Sequence, residues 1–191
     1  MIAPARFLLL CALLVYSSVG ERCSYPSPAA SFTHEGYSGK WYEIGKIQTR
    51  GGAIFEKNCV CTELNIEISG SPNYGDGVAD NDCRYKTVDG KWTNATGALR
   101  DEDPDAPGRW LETIGQGSPV NYTVISLGED YSVEYDCGTS FGITNYCIHV
   151  MSRTRTMDED KFNELMQMAQ EMGLNPQNLD IIVTKQEGCD L

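Results

Sequence analysis

The sequence is short of bases and almost without histidine. Fifteen Lys and Arg face 27 Asp and Glu, a formal net charge of −12, and the histidines are His34 and His149 alone. So acidic a surface repels phosphate backbones and anionic lipid, which argues against nucleic acid or a membrane surface as partner. Cys59-Val60-Cys61 has no second pair and too few histidines to complete a zinc site, so no metal is expected. There is no Ser-His-Asp order and no pair of carboxylates at informative spacing, so the chain does not read as an enzyme. There is no internal repeat; the apolar run in the first twenty residues is too short to span a membrane, and nothing later resembles a span.

Those first twenty residues read as a secretory leader. Arg6 precedes the apolar run Phe7 to Tyr16, and Ser18-Val19-Gly20 supplies small residues for cleavage. The expected organisation is residues 1–20 as signal peptide and 21–191 as one secreted, extracellular domain. Seven cysteines remain after cleavage: Cys23, Cys59, Cys61, Cys83, Cys137, Cys147 and Cys189. In an oxidising compartment they read as disulfides, and the odd number leaves at least one over.

Residues 21–38, with Cys23, Pro26, Pro28 and several Ser, read as an extended arm. Eight short strands then follow at regular spacing: 41–49, 58–68, 77–87, 91–99, 109–114, 121–127, 131–137 and 145–153. Ser69 to Gly75 has turn composition and Asp89-Gly90 is a hairpin signal. Strands so spaced argue a barrel or sandwich rather than a parallel α/β fold. Thr156-Met157-Asp158-Glu159 reads as a capping box opening one helix. Phe162, Leu165, Met166, Ala169 and Met172 form its apolar stripe, Gly173 ends it, and 181–183 is a last short strand.

Gly39-Lys40-Trp41-Tyr42-Glu43-Ile44 near the mature N-terminus, and Ser152-Arg153-Thr154 just before the helix, resemble two signatures of the lipocalins. The usual Thr-Asp of a third signature is missing, with Leu127-Gly128-Glu129-Asp130-Tyr131 in its place. The resemblance is closest to apolipoprotein D and the bilin-binding lipocalins. It implies an all-β, eight-stranded antiparallel up-and-down barrel with one C-terminal α-helix and a short final strand. Gly39, Trp41 and Arg153 would close its base, the guanidinium stacking on the indole. It also implies bridges Cys23–Cys137 and Cys59–Cys189. Of the remaining cysteines, Cys61 and Cys83 lie eleven positions to either side of Pro72, so a hairpin turning there would join them as a third bridge. The rival pairings are Cys137–Cys147 and a Cys147 bridge between molecules, so an oligomer stays open. A leftover Cys147 reads as a buried inert thiol, or else as the attachment point of a chromophore or a nucleophile.

A barrel of this size encloses room for one small ligand. The candidate wall and rim residues are Ile47, Phe55, Tyr85, Trp110, Tyr122 and His149, with residues 51–57 and 101–108 as rim loops. His149 and Met151 share the inward parity of Arg153. The wall is expected to be mostly apolar with a few polar groups. Asn94 and Asn121 head glycosylation sequons; sugar on both would turn Tyr122 and Val124 inward and leave Trp92 outside or at the rim. The function this implies is carriage of a small hydrophobic ligand: a lipid, a carotenoid or a linear tetrapyrrole such as biliverdin. A pigment protein with a bound bilin is the alternative, and a thiol-dependent lipid isomerase or a module for protein partners are readings of other classes.

Overall fold

A computed structural model describes residues 22–70 and 75–190, so the expected leader and the middle of the turn around Pro72 lie outside the described residues. The arm is not wholly extended. Thr33 accepts a hydrogen bond from the Gly36 amide and starts one turn of helix, α1 (His34–Tyr37), which carries Tyr37 into the interior. Then come β1 (Gly39–Gln48), β2 (Cys59–Ile68), β3 (Gly77–Tyr85) and β4 (Trp92–Arg100), followed by β5 (Arg109–Ile114), β6 (Val120–Leu127), β7 (Tyr131–Ser140) and β8 (Ile143–Ser152). Each strand pairs antiparallel with the next, and β1 pairs with both β8 and β2, which shuts the ring. Helix α2 (Glu159–Glu171) and a two-residue strand β9 (Ile182–Val183) follow.

The base is stoppered by Trp41, which is fully buried and donates its indole N–H to the Tyr37 carbonyl at 2.7 Å. The Arg153 guanidinium stacks 3.5 Å from the indole centroid and donates to the carbonyls of Gly36, Ser38 and Lys40 at 2.7, 3.0 and 2.8 Å. A planar fork over an aromatic face gathers three carbonyls from the turn into β1 and covers the indole with a cation. Gly39 has φ +94°, a left-handed conformation that a side chain resists, where the chain turns from α1 into β1.

Two bulges decide where side chains point. In β1 the pairing with β8 shifts between Glu43 and Gly45. Trp41 and Glu43 face inward before it and Lys46 after it, while Ile44 and Ile47 turn out to pack on Phe162, Leu165 and Met166 of α2. Gly45 must be glycine: a Cβ there would lie 2.6 Å from the Phe162 ring and 2.9 Å from the Ile182 carbonyl. In β2 the ladder to β3 shifts between Val60 and Glu63, and Cys61 sits at φ +56°. Above Tyr42–Glu63 the β1–β2 ladder stops. The C-terminal tail fills that seam. β9 pairs with Gly45 and Lys46, Cys61 donates to the Lys185 carbonyl at 2.8 Å, and the Gln186 amide donates to the carbonyls of Glu43 and Thr62.

The second bulge corrects two of the three expected bridges. Cys23–Cys137 forms, but the others are Cys59–Cys83 and Cys61–Cys189, not Cys59–Cys189 and Cys61–Cys83. An even hairpin would set Cys61 opposite Cys83. The extra residue of the bulge instead swings Cys61 outward onto the tail and leaves Cys59 beside Cys83. Cys147 is free and buried.

Two further expectations shift. Helix α2 begins two residues later than the capping box implies, because the Asp158 carboxylate accepts the Lys161 amide at 3.1 Å and is the cap. Its buried stripe is Phe162, Leu165, Met166 and Ala169, while Met172 stands at the C-cap, exposed. The 101–108 loop is not at the rim. Up-and-down order places it beside the stoppered base, where the Gly108 carbonyl accepts from the Val124 amide and Asp101 accepts from the Gly75 amide.

Peptide mapping without reduction should join Cys61 to Cys189 and Cys59 to Cys83; a Cys59–Cys189 peptide would contradict the bulge. The bridges span 128 and 24 residues. Replacing both Cys61 and Cys189 by Ser should therefore cost about 4–5 kcal/mol of unfolding free energy, against about 3 for Cys59 and Cys83.

Candidate functional site

Above the Trp41 floor lies one cavity of about 390 Å³. It opens between the β1–β2 loop (Gly51 to Phe55), the β5–β6 turn (Gly117 to Pro119) and the upper end of β7 (Gly138 to Ser140). Of the six residues expected to meet a ligand, Phe55, Tyr122 and His149 line it, as does Met151. Ile47 does not, since the β1 bulge reverses its parity and puts it under α2. Trp110 does not either. It is the second residue of β5, level with the floor, where it packs on Phe32 and Tyr37 and donates to the Gly75 carbonyl at 3.0 Å. Tyr85 ends β3 beyond the wall, nearly half exposed, with the Lys86 ammonium over its ring.

The wall is far more acidic than the expected apolar cup. Glu43, Glu56, Glu112, Glu134 and Asp136 all line the cavity, with His149 as the one base among the lining residues. Lys46 is buried beside them, its ammonium 3.2 Å from Glu43 and 3.0 Å from Glu56. Glu56 reaches in from a short 3-10 turn, Ile54–Glu56, folded over the barrel. His149 Nδ1 lies 2.8 Å from Glu43 and Nε2 3.3 Å from Asp136. Deeper still, Tyr37 donates to Glu134 at 2.8 Å and meets the Tyr122 hydroxyl at 2.5 Å, while Ser132 also donates to Glu134. These carboxylates were legible in part. Glu112 shares the parity of Trp110, and Glu134 and Asp136 alternate on one face of β7. Glu56 lies in a loop, where no periodicity marks it.

Five carboxyls and two bases in a low-dielectric space cannot all be ionised. Burial would raise Glu43, but Lys46 and His149 overcome it and hold its carboxyl well below the usual range. Burial works against a charged His149, yet the carboxylates around it, Glu56 foremost, keep the imidazolium to well above its ordinary value. The rest go the other way: burial raises Glu56 and Glu134, and burial with Asp136 and Glu56 nearby pushes Glu112 up to about 8. Burial likewise lifts the Cys147 thiol, so thiolate there is scarce at neutral pH.

Two groups of ligating atoms lie within 4.8 Å of one another: Asp136, Cys147 and His149, and Glu43, Glu56 and His149. They share His149, whose two ring nitrogens already face carboxylates, and Lys46 supplies positive charge to the second group. Of the sequon asparagines, Asn94 is exposed on β4 and Asn121 half-buried on β6.

Glu112 gives stability a pH dependence of known sign. Between the ordinary value near 4.5 and about 8, the folded chain keeps a proton that the unfolded chain has released, so stability falls as pH rises through that window. Glu112→Gln should remove this slope. Its stability gain over the wild type in urea titrations should grow by about 3–4 kcal/mol from pH 5 to pH 8. A gain that does not change with pH would contradict the assignment.

The comparisons with known proteins agree with the geometry. The model of a Lipocalin-like domain matches residues 33–184. The chain is 25% identical over 178 residues to the outer membrane lipoprotein Blc of Vibrio cholerae, an alignment covering 92% of this chain and 95% of that protein. Among solved structures, insecticyanin from the tobacco hornworm Manduca sexta superposes with a TM-score of 0.63 at 16% identity, covering 87% of each chain. Lobster apocrustacyanin A1 does so with a TM-score of 0.61 at 12% identity, covering 81% of this chain and 79% of its own. At those identities the likeness is one of fold. A family match over most of the chain, on a closed eight-stranded barrel with Arg153 stacked on Trp41 at its base, makes this chain a member of the lipocalin-like family.

Proposed function

We propose that the chain is a secreted carrier that encloses one small molecule with an apolar body in the barrel. The observation that carries this reading is the cavity of about 390 Å³, closed below by Trp41 and Arg153 and open at the opposite end. Leu64, Ala79, Ile114 and Met151 give the wall its apolar area. A ligand burying about 300 Å² of apolar surface would gain roughly 7–8 kcal/mol before the entropy costs of association. Three disulfides support an oxidising, extracellular setting. Carriage is favoured over thiol catalysis because Cys147, the free cysteine among the described residues, is buried and held protonated.

A linear tetrapyrrole fits this wall poorly. Its two propionates would meet five inward carboxyls, and no arginine is among the residues lining the cavity. A carotenoid carries no such charge and remains compatible with the wall. Visible absorbance of the protein from its native source would identify either pigment directly.

Titration with the neutral dye N-phenyl-1-naphthylamine should give saturable fluorescence enhancement at one site, with a Kd on the order of 1–10 μM. Ile114→Trp, which projects an indole into the cavity, should weaken it at least tenfold while the melting temperature stays within a few degrees. Undiminished dye binding by that variant would remove the cavity from the reading.

A further inference from the structure

The carboxyls outnumber the bases inside the barrel by five to two, and the surplus is not neutralised from within. Lys46 and His149 are taken up by Glu43, Glu56 and Asp136, and Glu134 by Tyr37 and Ser132. Glu112 is left. It is only 6% exposed and lines the cavity, and among the described residues its carboxyl makes no hydrogen bond or ion pair. Room for that carboxyl is made on the neighbouring strand: a Cβ on Gly97 would stand 2.2 Å from Oε1. The Thr62 hydroxyl, buried on the same cavity, also lacks a partner. Buried polar groups without partners in a cavity lining await an external partner, and an unpaired acid awaits a donor.

Along the β3–β5 side of the wall, Glu112 has apolar neighbours. Ile114 lies two residues along β5 on the same face, and Ala79 stands opposite Gly97 one strand further. Tyr122 and Phe55 add aromatic faces to the cavity. We infer that the barrel takes an organic cation, a small amine whose protonated nitrogen docks on Glu112 and whose flat apolar body fills the space above. This rests on the carrier reading and narrows it to a ligand class. A carboxylate over aromatic and aliphatic walls recognises such a molecule by a charge-assisted hydrogen bond and by apolar burial together.

Docking involves one proton and no covalent bond. Glu112 in the empty barrel holds its proton up to about pH 8. As the ammonium arrives, that proton leaves for solvent and the carboxylate pairs with the cation. Facing Glu112 are Tyr37 from α1, Glu56 from the 3-10 turn, Tyr122 from β6, Glu134 and Asp136 from β7 and His149 from β8. All but His149 are acids, so the ionised carboxylate of Glu112 has no base of its own within this group until the ammonium supplies one. Affinity for an amine should rise about tenfold per pH unit from pH 6 to 8, level off, and fall as the amine loses its own proton near pH 10.

The test compares three indoles that differ in one group: tryptamine, its alcohol analogue tryptophol, and indole-3-propionate. Calorimetric titration at pH 6.5, in two buffers of different ionisation enthalpy, reads affinity and proton release together. Tryptamine should bind at least 30-fold more tightly than tryptophol, with the propionate weakest, and should release close to one proton. Glu112→Gln should lose the proton release and the pH slope and weaken tryptamine at least tenfold, while Glu112→Asp should keep the slope. Equal affinity for the three indoles, binding without proton release in the wild type, or a tryptamine preference that survives in folded Glu112→Gln would each overturn the inference. The wild-type competition and pH profile decide it even if the Gln variant does not fold. If the neutral dye binds and tryptamine is not preferred, the amine inference fails and the carrier reading stands. If neither the dye nor any indole binds, both fail.

Discussion

The structure depends on one guanidinium. Arg153 lies flat on Trp41 and gathers three carbonyls from the chain as it passes from α1 into β1. Without it the carbonyls of Gly36, Ser38 and Lys40 would turn to water and the Trp41 indole would lose the planar cation that covers its face. With it the base becomes a packed plug of Phe32, Tyr37, Trp41 and Trp110, and the cavity opens at the opposite end. The polarity of the cavity follows. Everything above the plug is enclosed on the sides by the strand ladder and can hold groups that water would otherwise neutralise.

What the wall holds is an unusual ratio of charges. A paired Glu43, Lys46 and His149 are tolerable in the interior because each finds a partner within 3.3 Å. Burial pushes Glu56, Glu112 and Glu134 toward their protonated forms, and a protonated carboxyl can donate as well as accept. The barrel can therefore meet a neutral ligand with hydrogen bonds and a cationic one with charge, depending on which carboxyl gives up its proton. Such a wall treats anionic ligands differently from an arginine-lined one, and the choice was made by residue type at a few inward positions rather than by the fold.

Much of this was legible in the chain itself. The eight strands, the helix after them and the short last strand stand out through alternation, turn composition and the apolar stripe of α2. Gly39, Trp41 and Arg153 stand out through their resemblance to a family pattern. The misreadings share one cause. Alternation assumes an unbroken strand, and each bulge resets the count, so Ile47 left the cavity and Cys61 found Cys189 instead of Cys83. Height along the barrel is the other missing coordinate. Trp110 and Glu112 point the same way, but one is buried in the plug and the other lines the hollow. Glu112 could have been found by following Trp110 two residues on; Glu56, held by a loop, could not.

The seam between β1 and β2 carries a consequence for how the molecule is made. Its upper half is sealed by β9, Lys185 and Gln186 rather than by a direct strand pair, and the last of these bonds joins Cys61 to Cys189. These residues leave the ribosome after every other part of the wall. Until they arrive, Glu43 borders an unsealed slit in the side of the nascent vessel, and a chain terminated a dozen residues early would be a leaking one however well its eight staves had formed.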